Sequence, residues 1–218
     1  MKYEVKICFP RYKMVYSLAF ILVLCVIHPI IYYNEIGAAI EEPIAMLAII
    51  FCADTYLTEV HSKRNDVFHL YSTKKQCTAI FQRIALQIVY LFGISCIGFF
   101  MFFWQRPTNL SKEITIPVMF GAFCIAMIVT VYFWSILSVA VNTLFRNMWA
   151  GIGALFALWI GLISKGGGTL LGKWSPFSYS ICEPAAILHW EWLSGKVVVF
   201  VMTMGLLYLI PVILKKRG

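Results

Sequence analysis

Charge is what this sequence has least of. Of its 218 residues only 13% are Asp, Glu, Lys or Arg, while 61% are hydrophobic; a soluble domain carries about 25% charged residues. Mean hydropathy is +0.82. Too little polar surface is available to coat a water-exposed globule, so the chain is expected to be an all-α, multi-pass membrane protein. Each helical crossing takes about 20 apolar residues, so six would absorb roughly 120 and leave no room for a separate soluble catalytic domain.

Acidic residues are scarcer still, ten against eighteen Lys and Arg, for a net charge of +8. In a soluble protein that balance points to nucleic acid. In an apolar chain the basic residues follow membrane topology instead, and no nucleic-acid partner is expected. The seven cysteines (Cys8, Cys25, Cys52, Cys77, Cys96, Cys124 and Cys182) form no Cys-x-x-Cys pair and have no histidine at zinc spacing, so no metal site is expected. Only Cys182 falls on the outside in the topology given below, which leaves no partner for a disulfide there. No small-x-small cleavage site follows the first apolar run, so it reads as a first span, not a signal peptide.

Catalytic constellations are missing too. Gly167, Gly172 and Lys173 open like a phosphate-binding loop, but Trp174 stands where a Ser or Thr would hold magnesium. Ser95, in Gly93-Ile94-Ser95, lacks a neighbouring base. The deep histidine is His28, beside Pro29, and reads as a packing residue at a proline kink. His61, His69 and His189 make no zincin spacing. Glu41-Glu42 resembles the opening of a membrane prenyl-protease motif, yet Met46 occupies the arginine position, and helix capping accounts for both carboxylates. The chain is not expected to be an enzyme by itself or to bind a cofactor of its own.

What is present is six apolar segments: 15–33, 43–57, 84–104, 116–141, 149–164 and 197–214. Pro43, after two glutamates, suits the first position of a helix. Thirteen of the eighteen basic residues fall in segments assigned to the cytoplasmic side, and five (Arg106, Lys112, Lys165, Lys173 and Lys196) to the outside. Both termini are therefore expected in the cytoplasm, with an even number of crossings. Tyr32, Tyr33, Trp104, Trp149, Trp174, Trp190 and Trp192 stand where spans meet headgroups. Gly153, Ala157 and Gly161 make a stripe of small residues on which another helix can pack. Asp54 reads as the sole acid within a span, so the chain lacks the midplane charges of most ion-driven transporters.

Two connections stand out. Residues 58–82 are charged and internal, with Val67, Phe68, Leu70 and Tyr71 spaced for a short amphipathic surface helix. Residues 165–196 are external and hold a glycine triplet, Ser175-Pro176-Phe177 and a run at 184–193 too short to cross, which is expected to re-enter or lie in the interface.

Taken together these features resemble the permease subunit of an ABC-2 type ATP-binding cassette transporter, over nearly the whole chain. Phe9-Pro10-Arg11-Tyr12-Lys13 matches the family's amphipathic elbow helix. Glu59, Lys63, Arg64, Val67, Phe68, His69, Leu70, Tyr71 and Lys74, with Ser72, Thr73, Lys75 and the later Arg83, match its coupling region. Residues 174–179 and 184–193 look like its external re-entrant element. The usual Gly-Thr after the glutamate is absent, and Lys74 stands where proline is common. The small size is most like permeases of peptide-antibiotic immunity or export systems.

The resemblance implies one transmembrane permease domain over 1–218, in the plasma membrane. It would be paired with an identical or related permease and with two cytosolic ATPase subunits that hold the ATP and magnesium. The cargo would be a peptide, a lipid or a drug-like amphiphile. The rivals are the substrate-capturing subunit of an energy-coupling-factor transporter, a membrane protease or lipid hydrolase, and an immunity protein that sequesters a toxin without transport.

Overall fold

The computed structural model describes residues 5, 7–33, 35–56, 73–105, 107, 116–181 and 191–217. Among these residues the fold is all-helical and has no strand. The helices are α1 (Arg11–Ile27), α2 (Glu35–Cys52), α3 (Thr73–Trp104), α4 (Ile116–Phe145), α5 (Met148–Ile163), α6 (Lys165–Leu171), α7 (Ser178–Ile181) and α8 (Trp192–Arg217), with a 3-10 turn at Gly172–Trp174.

The surface shows which solvent the bundle is built for. In α1 the inward residues are Lys13, Ser17, Ile21 and Cys25, one every four positions. The outward ones include Val15, Leu18, Leu22, Val23 and Val26, all exposed. A soluble amphipathic helix has its polar residues outside and its apolar stripe inside, so α1 is arranged for a surrounding of hydrocarbon. On α8, Val197, Phe200, Val201, Met204 and Leu209 are exposed in the same way.

Among the described residues three helices are long and apolar enough to cross a membrane: Lys75–Trp104, Ile116–Phe145 and Trp192–Val212. A fourth candidate is the pair Met148–Ile163 and Lys165–Trp174, bent by 70° between its halves. The other two apolar segments form helices that are marginal for crossing. α1 has 17 residues, and α2, with 18, carries Glu35, Glu41 and Glu42.

α4 is the hub, packing against α2, α3, α5 and α8. Its inner face supplies Phe123, Met127, Val131 and Trp134, and α2 answers with Ile36, Ile40, Ile44, Leu47 and Phe51, all buried. The 175–181 segment inserts into this bundle. Phe177 is buried and stacks on Trp134 with ring centroids 5.8 Å apart, and Tyr179 meets Trp192 edge-on at 5.1 Å.

Four expected boundaries are corrected. α1 covers Arg11–Ile27 and not 15–33, and α3 begins at Thr73, so residues 73–82, expected in the internal connection 58–82, are its first turns. Pro43 does not start its helix; α2 begins at Glu35, where that carboxylate accepts the backbone N–H groups of Ile31 (3.2 Å) and Tyr32 (3.3 Å) and leaves Pro43 in the interior. The last helix starts at Trp192, not at residue 197, so it includes Lys196. His28, expected to pack at a proline kink, is exposed and caps the end of α1. Pro29 thus follows that helix and does not kink it. Trp192 is buried, whereas Trp104, Trp149 and Trp174 are exposed, as headgroup-level aromatics are.

The inserted segment leaves no space for side chains at two glycines. A Cβ on Gly37 would lie 2.0 Å from the Tyr179 ring, and one on Gly195 would lie 2.6 Å from the Lys173 carbonyl oxygen. Overpacking of this kind costs about 1–3 kcal/mol. Gly37→Ala is therefore expected to lower the thermal stability of the detergent-solubilised protein by about that amount. Gly121→Ala, where a Cβ meets nothing within 4 Å, is expected to leave it unchanged or raise it slightly.

Candidate functional site

Polar side chains in so apolar a chain are conspicuous, and the buried charged ones gather in two clusters, one along the first half of α2 and one at its end. The first centres on Glu41 and Lys196. Both are buried, at 0% and 1% exposure, on α2 and α8 respectively, and they form an ion pair. The Lys196 ammonium also donates to Thr130 Oγ1 on α4 (2.7 Å) and to the Pro176 carbonyl (2.7 Å), so its three protons all have acceptors. Thr130 Oγ1 is 3.0 Å from Glu41 Oε1. The second carboxylate oxygen of Glu41 accepts the backbone N–H of Ser180 at 2.7 Å.

Glu42 extends this cluster. Its carboxylate accepts from Ser180 Oγ at 3.1 Å, and its backbone carbonyl accepts from Trp159 Nε1 of α5 at 3.0 Å. Ser178 Oγ donates to the carbonyl of Trp192 at 2.8 Å, fastening the inserted segment to the start of α8. Three readings of the sequence are overturned here. Glu41 and Glu42 do not cap a helix, and Asp54 is not the sole acid of the helical segments. Lys196 belongs to the bundle interior, not to an external loop.

The second cluster lies at the start of α1 and the end of α2. Lys13, buried, pairs with Asp54 and donates to the Phe51 carbonyl at 2.8 Å. A cation at the carbonyl end of a helix is favoured by the helix dipole. The same ammonium lies 5.0 Å from the centroid of the Phe51 ring, within cation–π range. Thr55 Oγ1 is 2.8 Å from Gln87 Oε1 and 2.8 Å from the Cys52 carbonyl, and the buried Arg83 reaches the Thr55 carbonyl at 3.5 Å. Ser17 and Tyr90 share a hydrogen bond of 2.7 Å. Lys13, Asp54, Thr55 and Arg83 thus tie α1, α2 and α3 together beside the point where the chain enters residues 57–72. Between the clusters, Ser138 of α4 donates to the Ile49 carbonyl of α2 at 2.7 Å.

Of the expected coupling residues, Glu59, Lys63, Arg64, Val67, Phe68, His69, Leu70 and Tyr71 lie outside the described residues, and Lys74 falls in the first turn of α3. Gly153, Ala157 and Gly161 share an exposed face of α5, and a Cβ on either glycine would meet nothing within 4 Å. Ser95 donates to the Leu91 carbonyl of its own helix at 2.9 Å. Gly167 lies in α6 and Gly172 and Lys173 in the 3-10 turn.

The Glu41–Lys196 pair was not anticipated from sequence, because its partners are 155 residues apart. The available signal was a lysine followed directly by Val197-Val198-Val199-Phe200, since a lysine opening an apolar run needs a buried acid or an aqueous exit. Removing one member of a buried pair strands the other and costs about 3–5 kcal/mol. Glu41→Gln and Lys196→Met are each expected to destabilise the protein by about that amount. The double variant should lose clearly less than the sum, because no stranded charge remains. Unfolding followed by tryptophan fluorescence in detergent checks this, and strict additivity would refute the pairing.

Comparison with protein-family models, with characterised proteins and with solved structures returns no match for this chain.

Proposed function

We propose that the chain is the membrane-spanning permease subunit of an ATP-driven transporter of ABC-2 type. In this reading all six apolar helical segments cross the plasma membrane, α1 and α2 included, with both termini in the cytoplasm. A second permease, identical or related, packs on the small-residue face of α5, and two cytosolic subunits burn ATP with magnesium. The elements at 165–181 form the external re-entrant part, and the chain exports or expels a peptide, lipid or drug-like amphiphile.

The observation that carries this reading is the clamp at the root of residues 57–72. An ATPase pressing on a surface helix moves the membrane part only if the helix is rigidly joined to the spans. Here the segment leaves α2 beside the Lys13–Asp54 pair and re-enters at α3, whose Arg83 reaches back to Thr55. A push delivered to Glu59, Lys63, Arg64, Val67, Phe68, His69, Leu70, Tyr71 or Lys74 would therefore be shared by three helices. Charge reversal at Arg64 would oppose docking on an acidic groove, and loss of Phe68 and Tyr71 would remove its apolar anchors.

A second reading, ion-coupled transport, draws on the Glu41–Lys196 pair, since charges at membrane depth often serve ion pathways. It ranks lower because backbone and side-chain partners already saturate the ammonium of Lys196 and engage both oxygens of Glu41.

The test is co-purification with the partner ATPase. Losing an anchoring aromatic pair worth ~1.4 kcal/mol should cut retained ATPase about tenfold in Phe68→Ala/Tyr71→Ala. Arg64→Glu should abolish substrate-stimulated ATP turnover while the permease still folds. Unchanged association and turnover in both variants would overturn the assignment.

A further inference from the structure

A groove of about 850 Å³ opens on the side of the bundle between α5 and α8, with α4 as its floor. Phe133, Leu158, Leu162, Met202 and Leu206 line it, and Trp174 and Pro176 close one end. Its positions on α8 run from Val198 to Leu209, about 16 Å at 1.5 Å per residue. That is close to half of the ~30 Å hydrocarbon thickness of a bilayer, so the groove has the length of one leaflet.

The closed end is where charge appears. Trp174 is 52% exposed, and an indole at this level suits the headgroup region. Lys173, directly before it, is exposed, as is Lys165 at the start of α6, and among the described residues neither has a carboxylate partner. One carboxylate, Glu191, is exposed in the turn ahead of α8. Glu41 and Glu42 nearby are already engaged by Lys196 and Ser180. The groove therefore pairs an apolar trough about one leaflet deep with an exposed lysine, Lys173, next to the tryptophan that closes its end, and among the described residues that lysine has no carboxylate partner.

We propose that this groove is a binding site for an acidic phospholipid of the surrounding bilayer, its acyl chains lying against α5 and α8 and its headgroup on Lys173. The basic end favours an acidic headgroup over an apolar helix of a second copy, which would leave Lys173 without an anion. Gly205 is the open point of the trough. It lines the groove, and a Cβ placed on it meets nothing within 4 Å, so a side chain there can start into the groove without a clash at its first carbon.

The site needs no ATPase, so its test stands apart from the transport proposal. The chain is reconstituted in phosphatidylcholine nanodiscs holding a minor fraction of phosphatidylglycerol with a photoreactive acyl chain, irradiated, and its adducts mapped by peptide mass spectrometry. Adducts are expected to concentrate on the groove positions of α5 and α8, and unlabelled phosphatidylglycerol should compete where phosphatidylcholine does not.

Gly205→Phe should lower this labelling about tenfold, whereas Gly121→Phe, on an exposed point of α4 with equal free space, should leave it unchanged. Lys173→Glu should reduce the preference for the acidic lipid about fivefold while chain labelling persists. Adducts spread evenly over the exposed faces, labelling untouched by Gly205→Phe, or chain-to-chain adducts in place of lipid ones would each overturn the proposal.

Discussion

A glutamate and a lysine sealed inside an apolar bundle cannot be left apart, because an unpaired charge there costs several kcal/mol. That constraint orders much of this molecule. α8 is apolar nearly all the way round, so burial alone gives it little preference for one rotation over another. The Lys196 ammonium supplies the preference, since it must find Glu41 of α2, Thr130 of α4 and the Pro176 carbonyl at once. The same requirement draws the 175–181 segment into the bundle, where Ser180 completes the coordination of Glu41. Gly37 and Gly195 are the steric counterpart of that insertion, giving up side chains so that Tyr179 and Ser178 can approach.

The end of α2 is held by different chemistry. Lys13 meets Asp54 and the carbonyl terminus of the helix, and Arg83 brings α3 to the same place. With Ser138 bonded to Ile49 one turn before that end, α2 is held at Glu41 and again along its last turn, while the outward faces of α1 and α8 remain apolar and free to meet lipid. A rod secured in this way transmits force along its length. Our functional reading uses that property, linking an internal segment at its end to the inserted elements at Glu41.

Much of the architecture could be read from hydropathy, and its failures at α2 and α8 share one cause. The runs at 84–104, 116–141 and 149–164 appear as α3, α4 and α5, because long apolar stretches have few alternatives to the helix in hydrocarbon. α2 and α8 were misplaced where a charge sits inside a helix. Glu41-Glu42-Pro43 has the local chemistry of a helix start, and Lys196 that of a loop, so local rules put both outside the bundle. Only the long-range pair reverses this, and no local pattern announces a partner 155 residues away. Trp104, Trp149 and Trp174, expected at headgroup level, are exposed on the bundle surface. Trp192, expected there too, is buried because the inserted segment covers it. The residues from Glu59 to Tyr71, expected to form the coupling region, lie outside the described residues.

In the proposed reading this chain has no energy source of its own and moves its cargo only when nucleotide hydrolysis by a partner works on it. The most direct measurement is flux of a fluorescent amphiphilic peptide across proteoliposomes holding the chain with or without its ATPase, under an imposed pH gradient or with ATP. Flux that requires both the ATPase and hydrolysable ATP, and is indifferent to the gradient, is the predicted result. Flux through the chain alone, driven by the gradient and lost in Glu41→Gln, would contradict it.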